Sequence, residues 1–316
     1  MGTGDIAGTM TETLQSVGSP VVAVGSGSAE RAQAFAAKYE IPHAVGSHQA
    51  VAERDDVDIV YVATTHDRHY QNVLDAVAGG KAVLCEKAIA LNTTEAAEMY
   101  AAAAGAGVLL MEAMWMRFCP FVATLDEIIA DGAIGEVTDV EVFFGYVPPE
   151  SRRWTDQTLG GGALLDLGVY SLSLVHHVLG SPKSFEAMAQ LDGGVDVDVR
   201  VISHHGDEAS ATAGATFLSD PSNEAVVGGR KGRLRIHAPF HHSPTITLER
   251  EGDVVATYDT SFAGHGFRFE VAETERCVAA GLVESPLRPA ADTLAVMQWM
   301  DAIRARVGVV FPGEDG

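Results

Sequence analysis

A chain of 316 residues, 47% hydrophobic and 20% charged, carries enough apolar side chains for two domains with separate cores. Its 43 acidic residues against 21 basic ones give a formal net charge of −22, which argues against nucleic acid and anionic membrane as partners. Three cysteines, odd in number and without metal-site spacing, fit a reducing compartment; with no basic segment leading into an apolar run at the start, a cytoplasmic protein without a bound metal is expected.

The chain opens Met1-Gly2-Thr3-Gly4-Asp5-Ile6-Ala7. Gly2, Gly4 and Ala7 fit the G-x-G-x-x-A turn that brings backbone amides and a helix N-terminus to a pyrophosphate, so Gly2, Gly4, Asp5 and Ile6 are expected cofactor contacts. Such a turn normally follows a strand, and none stands before it here. The expectation is that Met1 is an internal methionine of a longer reading frame, with a central strand encoded upstream.

Pro20 to Gly25 then reads as a strand and Ala29 to Tyr39 as an Ala-rich helix. Val57 to Ala63 is a short apolar strand, followed by Thr64-Thr65-His66-Asp67-Arg68-His69 and a helix. Lys81 to Lys87 is the next strand, Asn92-Thr93-Thr94-Glu95 caps another helix, and Val108 to Glu112 is a further strand. Strands alternating with helices at this spacing predict a doubly wound parallel sheet over residues 1–118, with its first strand missing. Ligands on such sheets sit at the carboxyl ends of the strands. Thr64, Thr65, His66, His69, Glu86, Lys87, Trp115 and Arg117 all fall there. No acidic residue ends the 20–25 strand, so the carboxylate that selects an NAD ribose is missing. Ser26, Ser28 and Arg31 suit a 2′-phosphate, which favours NADP over NAD.

Residues 119–316 read differently. Alternating apolar and polar residues recur in 137–144, 196–202, 210–218, 224–227, 233–237 and 245–249, which predicts an α+β domain with a mostly antiparallel sheet. Arg230-Lys231-Gly232-Arg233-Leu234-Arg235 reads as a hairpin with its charges on the wet face. Helices near 267–280 and 290–307 finish the chain. Between the first two of these strands lies an apolar helix, Gly160 to Gly180, whose exceptions Asp166, Tyr170, Ser173 and His177 form one stripe at helical spacing. A carboxylate on such a helix needs a cation. Lys87, at a strand end, is the leading candidate. Lys, buried Asp and Tyr make a workable set for alcohol oxidation. The phenol, with an ordinary pKa of about 10, becomes a usable base when a nearby ammonium favours the phenolate. Tyr146 and Trp154 are expected to line a substrate pocket together with Trp115 and Tyr170. The adjacent histidine pairs 176–177, 204–205 and 241–242 read as strand-end or surface residues.

Cys85-Glu86-Lys87-Ala88 resembles the E-K-P signature of the glucose–fructose oxidoreductase and inositol dehydrogenase (Gfo/Idh/MocA) family, with Ala88 in place of the proline. Gly160 to Tyr170 resembles that family's G-G-G-x-L-x-D-x-G-x-H/Y helix. Residues 111–118 (MEAMWMRF), Glu284-Ser285-Pro286 and Val309-Val310-Phe311-Pro312 resemble its dimeric dihydrodiol dehydrogenase and NADP-dependent D-xylose dehydrogenase branch, which shares Tyr170. The resemblance implies that Lys87, Asp166 and Tyr170 are the catalytic set. It also implies cofactor contacts from the glycine turn and the His66 and Glu86-Lys87 loops, and a homodimer through the open face of the second sheet. The function so implied is NAD(P)-dependent hydride transfer on a sugar, polyol or trans-dihydrodiol CH–OH group. The alternatives are a non-catalytic dinucleotide-binding sensor on the same scaffold and an N-terminally truncated, inactive product.

Overall fold

A computed structural model of the protein describes residues 1–314. Helix α1 (Asp5–Val17) starts at Gly4 and stops at Gly18, whose left-handed backbone turns its amide back onto Gln15 and Leu14. There follow β1 (Ala23–Gly25), α2 (Ala29–Tyr39), β2 (His43–Val45), a single turn α3 (Gln49–Ala52), β3 (Ile59–Val62), α4 (His66–Ala78), β4 (Ala82–Glu86), α5 (Thr93–Ala106) and β5 (Leu110–Ala113). Asn92 caps α5 by accepting from the Glu95 amide at 3.0 Å, and Glu95 reaches back to the Leu91 amide at 3.2 Å, as the sequence predicts.

All pairings among these strands are parallel, but they form two sheets, β1–β2 and β3–β4–β5. Gly2 donates to Gly25 O at 2.9 Å and Met1 O accepts from Ala63 at 2.8 Å, so the first two residues bind the carboxyl ends of both β1 and β3. Behind them the facing edges of those strands border a cavity of about 320 Å³, lined by Val21, Val24, Val57, Val60, Leu14 and Val271 among others. The gap in the doubly wound order falls in this cavity. The Met1 amino group is buried there, donates to Tyr61 O, and is pushed down to about 5 by desolvation.

Next come α6 (Pro120–Ala130), β6 (Val137–Gly145), a turn α7 (Arg152–Thr155), α8 (Val169–Leu179), β7 (Ser184–Asp192), β8 (Val195–His205), β9 (Ala209–Thr216), β10 (Ala225–Gly229), β11 (Gly232–Ile236), β12 (Thr245–Arg250) and β13 (Asp253–Asp259). These strands form one sheet in the order β13-β12-β11-β10-β6-β9-β8-β7, antiparallel except where β6 pairs with β9. Alternation buries Val140 and Val142 of β6 and Ala211, Ala213 and Ala215 of β9 under α8. Ser171 of α8 bonds Gly214 O at 2.9 Å. The opposite face exposes Glu141, Arg200 and Ile202, and Met188 is 69% exposed. The expected hairpin is β10–β11, and its arginines are spent on cross-strand pairs: Arg233 with Glu249, and Arg235 with Glu249 and Glu224. Edge strands β7 and β13 were not predicted, because their solvent-facing positions carry Met188, Val254 and Val255 and hide the alternation.

The chain ends with α9 (Phe267–Ala279), which packs on α1, and α10 (Ala290–Val307). One compact unit comprises Met1–Trp115 with Gly264–Leu294, the other Met116–Ala263 with Ala295–Gly316. Within the first, Arg288 holds Glu112 of β5 at 2.6 Å, each side chain 1% exposed, and Thr293 adds a bond at 3.0 Å. Gln157–Leu179 is apolar and long enough to cross a bilayer, but it is the core helix of the second unit.

Candidate active site

In the first unit the expected residues gather at the strand ends. Gly2 has φ +109°, and a Cβ there would meet Ala63 O at 2.4 Å, so only glycine fits. No side chain among the described residues caps α1, and a Cβ on Gly4 would find open space. The first amides of α1, from Asp5 and Ile6 onward, therefore lack intrahelical acceptors beside an open approach, a donor set that fits a pyrophosphate. The exposed Asp5 carboxylate lies in that same first turn. After β1, Ser28 caps α2 by accepting from the Arg31 amide at 3.3 Å and donates to Glu30 at 2.6 Å. Ser26 is buried, while Gly27 has open space where a side chain would stand.

The loop after β3 and the turn after β4 are laced together. Thr64 accepts from Asn72 at 3.0 Å, and Thr65 bonds Asp67 at the start of α4. His66 Nε2 lies 3.3 Å from Lys87 O. His69 Nδ1 lies 3.0 Å from Ala88 O, and its Nε2 lies 3.1 Å from Thr64 O. His69 is thus turned inward, onto backbone. The Lys87–Ala88 peptide is cis with alanine where the resembling signature has proline. Glu86 also faces inward, accepting from Tyr61 Oη and from the Lys87 amide at 3.3 Å. Beneath it lies Glu270 of α9, fully buried, with neither carboxyl oxygen bonded among the described residues. Burial first, and the Glu86 charge second, push the Glu270 carboxyl well above its ordinary range. The same two causes raise the Tyr61 phenol. Trp115 stacks edge-on against Phe267, ring centroids 5.5 Å apart, with His265 at 5.4 Å. Arg117 follows in the same 3₁₀ turn, half-buried.

In the second unit Asp166 and Tyr170 lie on one helical run, 5% and 6% exposed. Leu164–Gly168 is wound as a π-helix before the α-helical α8, a device common at functional sites. The Tyr170 ring meets Phe144 edge-on at 5.6 Å, Ser173 is buried, and His177 pairs with Asp126 at 2.6 Å. Within its own unit Asp166 receives a hydrogen bond from Arg153 Nη2 at 2.9 Å, a cation that sequence reasoning passed over. The Arg153 guanidinium also lies 4.4 Å over the Trp154 ring, which meets Tyr146 edge-on at 6.1 Å. Burial, then the Asp166 charge, raises the Tyr146 phenol. Tyr146, Trp154 and Asp166 therefore share one cluster, and Phe217 completes its aromatic side.

Two further residues escaped the sequence. His241, in the 3₁₀ turn Phe240–His242, sits 5.4 Å from Tyr170 and 4.5 Å from Phe144, ring to ring. Only the fold brings it from 71 positions away, although the run Pro239-Phe240-His241-His242 is a local aromatic signal. Asp196 of β8 accepts from the Leu164 amide at 2.6 Å and so anchors the helical run. Burial raises its carboxyl to about 7 against the opposing effect of that bond. Gly162, at φ +128°, lies so close that a Cβ would stand 2.5 Å from Asp196 Oδ1, which explains that glycine.

A glycine turn at a helix N-terminus, a lysine at a parallel strand end, and a buried Asp and Tyr define the class as a dinucleotide-binding oxidoreductase. Residues 1–114 match the model of the oxidoreductase family with NAD-binding Rossmann fold, and residues 122–235 match the GFO/IDH/MocA C-terminal domain. Trans-1,2-dihydrobenzene-1,2-diol dehydrogenase of Mus musculus is 34% identical over 319 residues, spanning 98% of this chain and 96% of its own. The chain belongs to the GFO/IDH/MocA oxidoreductase family. Among solved structures, KijD10, a 3-ketoreductase from Actinomadura kijaniata seen with NADP and TDP-benzene, is similar with TM-score 0.85 and 26% identity, covering 97% of this chain and 96% of its own. Levoglucosan dehydrogenase in complex with NADH and levoglucosan shares the fold, with TM-score 0.86 and 18% identity over 97% of this chain and 95% of its own. The chain is an NAD(P)-dependent oxidoreductase, and hydride exchange with a CH–OH group is the chemistry to which family and relatives point.

Proposed function

We propose that this protein is a dehydrogenase for a sugar, polyol or trans-dihydrodiol, with Tyr170 as acid/base and Lys87 and Asp166 as its tuning partners. The observation that carries the reading is the buried carboxylate and phenol, Asp166 and Tyr170, on one helical run. A nicotinamide, when bound, supplies the hydride acceptor or donor. The protein supplies the rest. Tyr170 takes the hydroxyl proton as the carbinol carbon gives up hydride, and returns it in the reverse direction. In this reading the ammonium of Lys87 favours the phenolate by its charge. Arg153 pairs with Asp166, and Trp154, Tyr146 and Phe217 provide apolar surface for the carbon face of a substrate. His241 joins Phe144 beside the Tyr170 ring.

NADP is the preferred nucleotide in this reading. Gly25 and Ser26 end the second-strand position without a carboxylate, and Ser26, Ser28 and Arg31, which follow it, are residue types that suit a 2′-phosphate. Three buried cysteines suit a reducing, cytoplasmic setting, and the open face of the eight-stranded sheet, with Ile202 and Met188 outward, suits a homodimer. The test is Tyr170→Phe with a panel of aldoses, polyols and dihydrodiols. It should keep nucleotide affinity and lose about 10²–10⁴ in turnover. Turnover equal to that of the parent would move the acid/base role away from Tyr170.

A further inference from the structure

The side chain of His69 is only 1% exposed, and both of its ring nitrogens face backbone carbonyls, Ala88 O at 3.0 Å from Nδ1 and Thr64 O at 3.1 Å from Nε2. A carbonyl oxygen accepts and has no proton to give. A neutral imidazole carries one N–H and one lone pair, so either tautomer would press a lone pair against one of the two oxygens. The imidazolium donates to both.

We propose that His69 is held as the imidazolium and acts as a positioning residue, tying the loop after β3 to the turn after β4 and so fixing where Lys87 stands. The two tied segments carry Thr64, Thr65 and Lys87. His66, one helical turn before His69 on α4, adds a contact from Nε2 to Lys87 O at 3.3 Å, its ring edge-on to His69 at 5.5 Å. Three backbone oxygens around the Lys87–Ala88 peptide and Thr64 are thus met by two imidazoles. The charged groups on the elements packed about His69 are Asp67, Arg68 and Asp75 of α4, Glu86 and Lys87 at the end of β4, and Glu95 and Glu98 of α5. Acids outnumber bases there, which favours the protonated ring. A cofactor-contacting role for His69 gives way to one beneath the site, because neither nitrogen points outward.

The part played by Lys87 rests on the proposed function, but the protonation of His69 does not. The deciding experiment is therefore spectroscopic, on the full chain without nucleotide. With ¹⁵N-histidine labelling of the twelve histidines, the His69 signals are assigned by their loss in His69→Gln. The expected result is two protonated ring nitrogens from pH 6 to pH 8. A single protonated nitrogen at pH 7 overturns the proposal, whether or not the protein turns over any substrate. In parallel, His69→Gln and His69→Asn should lower kcat by about tenfold or more, since both lack the second donor on the opposite side. Their nucleotide Kd should stay within about twofold of the parent, because the amides of α1 are untouched. An unchanged kcat in a variant with parental circular dichroism refutes the positioning role. Failure of the parent to oxidise any CH–OH substrate would instead sink the reading of Lys87 and leave the spectra to decide on His69.

Discussion

Asp196→Asn separates a charge effect from a shape effect at the foot of the helical run that carries Asp166 and Tyr170. In the unfolded chain Asp196 ionises near its ordinary 3.8, whereas in the folded protein burial raises it to about 7. Between these values the folded state keeps a proton that the unfolded state has released. Stability therefore falls as pH rises from about 4 to about 7, and the loss is complete above that. At ~1.4 kcal/mol per pH unit, the gap amounts to about 4 kcal/mol. Asparagine copies the protonated carboxyl in size and cannot ionise. The variant should match the parent below pH 4 and exceed it by about 4 kcal/mol at pH 8. Urea unfolding followed by tryptophan fluorescence measures this, since Trp154 and Trp299 lie in the same unit as Asp196. Taking the difference between variant and parent at each pH cancels every other titrating group. A difference that stays flat from pH 4 to pH 8 would refute the reasoning and mean that the amides around Leu164 stabilise the carboxylate fully.

Arg288→Met leaves the Glu112 carboxylate without its guanidinium at 1% exposure, and should cost about 3–5 kcal/mol in denaturant unfolding; Glu112→Gln on the same background should restore part of it. A cost below about 1 kcal/mol would mean that the site admits water. Placing a short run of β-branched residues before Met1 should raise the thermal midpoint, by replacing a buried amine with a peptide and giving the β1 and β3 edges a strand to pair with. An unchanged midpoint would show that the cavity does not take a strand.

The elements with local signals were legible in the sequence. Asn92 and Glu95 announce the cap of α5, and Gly229 to Gly232 marks the β10–β11 hairpin. Val140 and Val142 place β6 with one face inward. Lys87, Asp166 and Tyr170 stood out because a carboxylate and a phenol on an apolar helix need a reason. Distances across the chain left no such mark. Arg153 reaches Asp166 from a separate turn, His241 reaches Tyr170 from a distant 3₁₀ turn, and Asp196 reaches the Leu164 amide across 32 positions. The inward turn of Glu86 toward Tyr61, and of His69 toward two carbonyls, depends on rotamers that packing selects.

By itself the sequence determined the parallel strand–helix alternation followed by a mostly antiparallel sheet, the glycine turn and the chemical types singled out for the site, because periodicity, turn residues and unusual buried charges are written locally along the chain. The tertiary structure alone decided which partner each charge meets and where each proton rests. Those depend on burial and on atoms that only folding brings within hydrogen-bonding reach.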